Sequence, residues 1–258
     1  MYVEGLNDAR TKLADFFSIL LEVSRRGDKI MPDGSKRSSD AGKRWRRAVP
    51  MVAPRILIAL VIALAPFGAG VESAETDKER WNKNYSGDTY RFGKDPIPYL
   101  VEQINRLPKG KALDLAMGEG RNGVFLATRG FQVTGLDISE KGLEKAQALA
   151  KAQGVTIETK VTDLDQAPLG SNGYDVVLCT YYLDRGLFSK MKQAVKPGGM
   201  VVVETYTIDH LKYRPQFRKE WLLERNELVE WFKDFTILDY QVVDNGESAF
   251  ASIVAQKP

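Results

Sequence analysis

The chain has 258 residues, a formal charge of +3, and hydrophobic and charged fractions of 43% and 28%, which are typical of a globular protein with one domain or two small ones. Its one cysteine, Cys179, excludes an internal disulfide, and with one histidine, His210, it cannot form a cysteine–histidine metal cluster. We therefore predict no metal site, and no spacing indicates a Cys/His or Ser/His nucleophile pair.

The positive charge is concentrated at the N-terminus. Residues 1–55 hold 12 Lys and Arg against 7 Asp and Glu, a net of +5, whereas the remainder holds 25 against 27, a net of −2. Apolar residues recur at helical spacing over Met1–Val23, and residues 24–55 have the polar, basic composition of a disordered arm. Because nucleic-acid binding requires a basic face on the folded body, we expect no nucleic-acid partner.

Residues 56–74 form a separate segment. Ile56–Ala65 is an unbroken apolar run, which residues 66–71 extend to a length that is short for a membrane-spanning helix. Basic residues before the run and small residues after it are typical of a signal peptide, with a cleavage site before Ala74; an uncleaved anchor is the alternative. We expect membrane contact through residues 56–71 and one folded domain over residues 75–258.

Spaced aromatic residues open that domain. Trp81 and Tyr85 lie four residues apart and so share one face of a predicted helix, where they serve either in core packing or in substrate stacking. A second helix is predicted over Pro96–Arg106, with the proline at its start.

The central stretch predicts a nucleotide-binding unit. A buried strand over Ala112–Ala116 runs into Gly118 and Gly120, and a helix over Asn122–Arg129 follows. The next strand, Phe131–Leu136, ends at Asp137, which is placed to bind the hydroxyls of a ribose. Glycines let a ligand approach the backbone beside a helix N-terminus, and the acid follows at the spacing expected for nucleotide binding.

Two cofactors fit this pattern. Gly118, Gly120 and Gly123 match the G-x-G-x-x-G pattern of dinucleotide sites, which is weak evidence when alone. An acid inside the first strand, Asp114, and a second acid after the third strand, Asp163, favour S-adenosylmethionine instead. Asp163 either accepts a hydrogen bond from the adenine amine or caps the turn that begins at Leu164.

The later elements complete the predicted sheet. Strands are predicted over Val155–Val161, Tyr174–Thr180, Met200–Thr205, Thr236–Val243 and Ala249–Ala255, and helices over Glu140–Gln153, Leu187–Val195 and Glu227–Phe232. An Asn-Gly turn joins the last two strands as a hairpin, so the last strand is antiparallel. The expected fold is a Rossmann-like α/β three-layer αβα sandwich around a seven-stranded, mostly parallel sheet.

Together the motifs resemble those of the class I S-adenosylmethionine-dependent methyltransferases, and most closely the small branch of tellurite-resistance and thiol methyltransferases. The resemblance covers Trp81 to Lys257 and rests on the motifs WNKNY, LDLAMGEGRN, LDIS, TDLD, YDVVLCTYYLDR, KPGG and ETYT. In one departure, Ala116 replaces the family's usual first glycine. The resemblance implies S-adenosylmethionine as cofactor and contacts to it from Asp114, Ala116, Gly118, Gly120, Asn122, Asp137, Ile138, Asp163, Leu164 and Cys179.

Residues beyond the fourth strand face the expected substrate opening. The candidates for substrate or lid contacts are Tyr181 and Arg185 there, together with Trp81 and Tyr85 at the start of the domain. Asp184 and Arg185 could pair with each other instead. Tyr182 and His210 are the weak candidates for a catalytic base. Cys179 is expected to form the pocket wall through its backbone, because methyl transfer needs no covalent enzyme intermediate. The basic residues of Lys212–Lys219 are a further lid candidate.

The predicted function is methyl transfer to a small-molecule acceptor by in-line attack on the sulfonium methyl. The absence of an obvious base favours a thiol or a chalcogen oxyanion. The alternatives are an NAD(P)-binding oxidoreductase and a non-catalytic nucleotide-binding protein tethered at a membrane. A monomer is favoured, and the location is open, because the signal-like segment predicts export or membrane association while the cofactor predicts catalysis inside the cell.

Overall fold

The computed structural model describes residues 75–258. The predicted N-terminal helix, the basic arm and the signal-like segment of residues 1–74 lie outside the described residues. Within residues 75–258, no helix is long and apolar enough to cross a membrane.

Seven strands form one sheet, in the order β3-β2-β1-β4-β5-β7-β6. Only β7 runs against its neighbours, since it pairs antiparallel with both β5 and β6. The predicted strand count and the antiparallel last strand are therefore confirmed. The strands are β1 (Lys111–Leu115), β2 (Gln132–Asp137), β3 (Glu158–Val161), β4 (Tyr174–Thr180), β5 (Val195–Tyr206), β6 (Thr236–Asp244) and β7 (Ala249–Gln256).

Helices cover both faces of the sheet. One hydrophobic cluster joins the face of Ala112 and Val176 to three helices, and the other joins the face of Leu113 and Val177 to two. This burial on both faces explains the continuous apolar runs of β1 and β4. The helices are α1 (Asp77–Tyr85), α2 (Pro98–Gln103), α3 (Arg121–Thr128), α4 (Glu140–Ala152), α5 (Arg185–Ala194) and α6 (Glu227–Trp231); α2, α3 and α4 pack on the first face and α5 and α6 on the second.

Some element boundaries differ from the predictions. β3 begins at Glu158 rather than Val155, and α2 is shorter at both ends than the predicted helix. The Lys-Pro-Gly-Gly run belongs to β5, where a register irregularity between Tyr174 and Val176 of β4 accommodates it. The predicted loop after residue 212 is preceded by a 3₁₀ turn, Ile208–Lys212.

Candidate active site

The candidate site lies at the carboxyl ends of β1 and β4. These two strands are neighbours in the sheet, but the chain leaves them in opposite directions, toward β2 and toward β5. In open α/β sheets such a switch point opens a crevice that binds ligands. The first residue beyond each strand, Ala116 after β1 and Tyr181 after β4, has a left-handed backbone with φ of 51° and 54°. Strained non-glycine residues of this kind cluster at functional sites.

The glycine turn after β1 brings backbone close to three other elements. Gly118 and Gly120 have φ of 53° and 88°, and Gly120 is the N-cap of α3. A Cβ on Gly118 would lie 2.8 Å from the Tyr85 hydroxyl, and one on Gly120 would lie 2.6 Å from Ala146 Cβ. Only glycine therefore fits at these two positions, which place the free N–H groups of α3 at the crevice.

Asp137 connects the end of β2 to that turn. Its Oδ2 accepts a hydrogen bond from Gly118 N at 2.8 Å, and its Oδ1 accepts one from Ser139 N at 2.8 Å. The side chain is buried, and burial raises the pKa of its carboxyl above the ordinary value, although the backbone donors oppose the shift. Each carboxylate oxygen can accept a second hydrogen bond, so Asp137 retains the capacity to bind ribose hydroxyls while it holds the turn in place. Ile138, which follows it, is half-buried.

Helix α1 lies over the glycine turn. Tyr85 is buried against Gly118 and Gly142, and Trp81 stacks on Tyr85 with ring centroids 5.4 Å apart. Asn82 accepts a hydrogen bond from Ser139 Oγ at 2.8 Å. Of the two roles left open by the sequence, packing describes Tyr85, whose ring forms part of the core.

A buried ion pair that sequence reasoning missed anchors the chain that follows α1. Glu119, between the two glycines of the turn, accepts from Lys145 Nζ at 2.8 Å and from Arg91 N at 2.7 Å. Lys145 also donates to Thr89 O at 2.7 Å. The glycine turn, the segment after α1 and helix α4 are thus held together by one carboxylate. An acid between two glycines at this turn was the available signal.

Asp114 is buried within β1, and its predicted contact to the cofactor stays a prediction. Its carboxyl lies against the first turn of α3, where Oδ2 would be 2.7 Å from a Cβ on Gly123, and that oxygen is buried without a hydrogen-bond partner among the described residues. Burial raises the pKa of Asp114 from 3.8 to about 8.

This environment predicts a specific dependence of stability on pH. The folded pKa of Asp114 lies above its unfolded value of 3.8, so between pH 3.8 and about 8 the folded state holds a proton that the unfolded state has released. The contribution of Asp114 to stability is therefore lost as the pH rises through this range, with a slope of at most about 1.4 kcal/mol per pH unit. We expect Asp114→Asn to flatten this slope in urea unfolding at several pH values; an unchanged slope would contradict the assignment.

Asn122 links separate elements of the fold, and its predicted contact to the cofactor stays a prediction. Its Oδ1 accepts from Ile97 N at 3.0 Å, and its Nδ2 donates to Thr180 Oγ1 at 2.9 Å. The side chain is buried and joins the start of α2 to the end of β4. Thr180, which the sequence did not single out, is therefore part of the support of the crevice.

Asp163 lies at the surface beyond β3 and makes the turn contact that was the alternative to adenine binding. Its Oδ1 accepts from Asp165 N at 3.0 Å, and its carbonyl accepts from Gln166 N and Ala167 N. Leu164 is buried in the second hydrophobic cluster. The geometry thus explains both residues without a ligand, and their role toward adenine stays a prediction.

Cys179 has the properties of a packed side chain. It is buried, its Sγ lies 3.5 Å from Tyr182 O, and burial raises the pKa of the thiol far above the ordinary range. A thiol that stays protonated is a poor nucleophile. Its backbone lies within β4, paired with Leu115 of β1, as the predicted wall of the pocket requires.

Arg185 is held in an ion pair, and its predicted contact to substrate stays a prediction. Its guanidinium binds both carboxylate oxygens of Glu227, at 2.6 and 2.8 Å, and donates to the carbonyls of Glu220 and Leu222. Asp184 instead caps α5 by accepting from Gly186 N at 2.8 Å. The alternative pairing of Asp184 with Arg185 is not formed.

The two weak base candidates are engaged in other contacts. His210 is buried, stacks on Tyr206 at 4.1 Å, and its Nδ1 accepts from Ala249 N at 3.3 Å. Burial and nearby Arg214 lower the pKa of His210, so the ring is neutral at physiological pH, with its acceptor nitrogen already occupied. The Tyr182 hydroxyl lies 3.5 Å from Asp165 Oδ1.

A hydrogen-bonded group centred on Glu204 lies at the end of β4 and β5. Tyr181 Oη donates to Glu204 Oε1 at 2.8 Å, and Ser252 Oγ donates to Oε2 at 2.7 Å. The Arg121 guanidinium lies 5.5 Å from the centre of the Tyr181 ring, and Tyr206 packs beside it at 5.0 Å. Of these residues only Tyr181 was a predicted site residue. No group of three potential metal ligands occurs within residues 75–258.

Comparisons with known proteins agree with this architecture. A family model described as a methyltransferase domain matches residues 112–199. The probable S-adenosyl-L-methionine-dependent methyltransferase TehB of Haemophilus influenzae is 27% identical over 61% of this chain, and a ubiquinone biosynthesis O-methyltransferase of Rickettsia canadensis is 30% identical over 48%. The chain spans 61% and 57% of the lengths of these two relatives.

Solved structures share the fold. The crystal structure of TehB from Haemophilus influenzae matches with a TM-score of 0.54 and 23% identity, over 70% of this chain and 67% of its own. Magnesium protoporphyrin IX methyltransferase from Synechocystis, solved with bound S-adenosylhomocysteine, matches with a TM-score of 0.51 and 20% identity, over 70% and 93%. The predicted fold and cofactor are confirmed, and the chain is similar to class I S-adenosylmethionine-dependent methyltransferases, TehB among them.

Proposed function

We propose that this protein transfers a methyl group from S-adenosylmethionine to a small-molecule acceptor. The observation that carries the proposal is the hydrogen bond from Gly118 N to Asp137. It places a carboxylate that can accept further hydrogen bonds beside the glycine turn and the start of α3. These are the polar groups that a cofactor with a ribose and an amino-acid part needs.

Different residues of the chain would bind different parts of the cofactor. Asp137 would hold the ribose hydroxyls, and Gly118 and Gly120 would let the methionine part approach the backbone. When bound, the cofactor supplies an electrophilic methyl group. The contribution of the protein is then alignment and exclusion of water, for which the cover of α1 over the turn is suited.

We infer that the acceptor is a thiol, a chalcogen oxyanion or a similarly small nucleophile. The resemblance to TehB supports this choice. A relative named as a ubiquinone biosynthesis O-methyltransferase supports an oxygen acceptor as the second possibility. The Arg121 guanidinium beside Tyr181 forms no ion pair with a carboxylate of residues 75–258, and a cation at this place would attract an anionic acceptor.

The two alternative functions have less support. An NAD(P)-binding oxidoreductase would share the glycine turn, but the antiparallel strand between β5 and β6 is not part of a purely parallel dinucleotide fold. A non-catalytic nucleotide-binding protein would have no need for the strained Tyr181 beside the crevice.

Calorimetric titration of the full chain with S-adenosylmethionine, S-adenosylhomocysteine and NAD tests the proposal. Micromolar binding of the first two without binding of NAD would support it, and a mass-spectrometric screen for methylated thiols and tellurite would follow. Binding of NAD alone would overturn it.

We further propose that residues 56–71 bring the protein to a membrane. The apolar run after a basic arm supports this proposal. Fractionation of cells that produce the full chain, compared with a chain that starts at Ala74, would test it: equal recovery in the soluble fraction would contradict membrane contact.

A further inference from the structure

The Tyr181–Glu204 pair has a geometry that the proposed alignment role does not use. Glu204 is only 2% exposed, so it cannot touch an acceptor in the crevice directly. Tyr181, whose hydroxyl donates to it at 2.8 Å, is 36% exposed and follows β4 at the switch point. The phenol is therefore the route by which the buried carboxylate can act on a bound molecule.

The backbone and the side chains fix this pair. Tyr181 N donates to Glu204 O at 2.7 Å, so both the amide and the hydroxyl of Tyr181 bind the same residue. The left-handed backbone of Tyr181, with φ of 54°, is held by these bonds. Ser252 Oγ, fully buried on β7, donates to the second carboxylate oxygen at 2.7 Å.

The direction of the hydrogen bonds determines what the phenol can offer. An ionised carboxylate only accepts, so both the tyrosine and the serine hydrogens point at Glu204. A phenol oxygen that donates its hydrogen still has lone pairs, and no N–H or O–H of residues 75–258 donates to Tyr181 Oη. Toward the crevice, Tyr181 is thus a hydrogen-bond acceptor.

We propose that Tyr181 and Glu204 form a proton relay that removes the proton of a neutral O–H, N–H or S–H acceptor during methyl transfer. The inference rests on the proposed function and adds a class of substrate to it, namely acceptors that are protonated at neutral pH. Tyr181 is the catalytic residue because it would contact the acceptor, and Glu204 is a positioning residue that acts through it.

The relay balances. The X–H bond of the acceptor breaks and an X–CH₃ bond forms, while the electron pair of the broken S–CH₃ bond stays on sulfur. The proton of X moves to Tyr181 Oη, and the proton of Tyr181 moves to Glu204 Oε1. One positive charge at sulfur and one negative charge at Glu204 disappear together, and Glu204 later releases its proton to solvent.

The surroundings of Glu204 suit a proton acceptor. Burial raises the pKa of its carboxyl above the ordinary value, which makes it a stronger base, while Ser252, Tyr181 and Arg121 oppose the rise. Burial also raises the pKa of Tyr181 far above its usual range, so the phenol is protonated and passes a proton on without itself ionising. The charged and titratable groups that face the pair are Arg121 of α3, Glu102 and Tyr99 of α2, and Tyr206 of β5.

Two probe acceptors separate the relay from general alignment. Thiophenol is largely ionised near neutral pH and needs no base, whereas benzyl mercaptan is largely protonated. With the full chain, we expect Glu204→Gln and Tyr181→Phe to lower kcat for benzyl mercaptan about 100-fold, with KM little changed. The same variants should alter kcat for thiophenol less than about threefold.

The pH profile gives a further readout. Wild-type activity with benzyl mercaptan should rise with pH as Glu204 ionises, and the Glu204→Gln variant should lose this rise of activity with pH. Matched controls are Glu144→Gln, on the exposed face of α4, and Tyr240→Phe, on the outer strand β6.

An equal loss with both probes, or no loss with either, would overturn the relay. A second measurement does not depend on turnover: NMR of the full chain labelled at tyrosine ¹³Cζ, with the Tyr181 resonance assigned by Tyr181→Phe. We expect this resonance to shift as Glu204 titrates and to lose the shift in Glu204→Gln. A resonance that does not respond, or that responds equally in Glu204→Gln, would overturn the pair even if neither thiol is methylated. Failure of the relay with intact binding of S-adenosylmethionine leaves the proposed function standing, and failure of that binding overturns the proposed function itself.

Discussion

Asp137→Ala should weaken the binding of S-adenosylmethionine at least tenfold, which corresponds to about 1.4 kcal/mol. Two losses add. The charge-assisted hydrogen bonds to the ribose hydroxyls disappear, and the amides of Gly118 and Ser139 lose the acceptor that holds them at 2.8 Å. The glycine turn would then be free to move away from the crevice. Calorimetric titration of the purified variant measures the effect.

Asp137→Asn is the matched control. Its amide oxygen can still accept from one of the two amides, but its NH₂ group cannot accept from the other. We expect an intermediate loss of affinity for S-adenosylmethionine. Thermal unfolding without ligand, recorded for both variants, separates a weaker fold from a weaker site. An unchanged affinity of Asp137→Ala for S-adenosylmethionine would contradict the assignment of Asp137 to the ribose.

The features that the sequence predicted correctly depend on local order along the chain. The strand β1, the glycines after it and the acid at the end of β2 lie within 27 residues, Lys111 to Asp137. Apolar runs, glycine turns and the spacing between them fix the geometry there, because each element meets its sequence neighbour. The hairpin of β6 and β7 was predicted for the same reason, from its Asn-Gly turn.

The contacts that sequence reasoning missed are made by side chains whose partners are distant in sequence. Arg185 lies 42 residues from Glu227, and Glu204 lies 48 residues from Ser252. An arginine beside a predicted crevice is equally compatible with a substrate contact and with an ion pair on the outside. Which of these two roles the arginine takes depends on which carboxylate the folded chain brings near it. Periodicity along the sequence does not predict that contact. Asn122 shows the same limit, since Thr180 and Ile97 reach it only in the folded sheet.

Gly120→Ala should destabilise the fold by about 3 kcal/mol, from two separate causes. The backbone of Gly120 has φ of 88°, a left-handed conformation that costs an alanine about 1–2 kcal/mol. The new Cβ would also lie 2.6 Å from Ala146 Cβ and 2.9 Å from Ala146 Cα, so α3 and α4 must separate. Overpacking of this kind costs about 1–3 kcal/mol. Urea unfolding at equilibrium measures the sum, and the displaced turn should also weaken the binding of S-adenosylmethionine.

Gly154→Ala isolates the first cause. Gly154 follows α4 with φ of 69°, and a Cβ there would meet nothing within 4 Å. Its loss of stability should therefore reflect backbone strain alone, about 1 kcal/mol, with unchanged binding of S-adenosylmethionine. If the two variants lost equal stability, the close approach of the glycine turn to α4 would have no energetic consequence. The difference between them is the free-energy cost of separating α4 from the glycine turn.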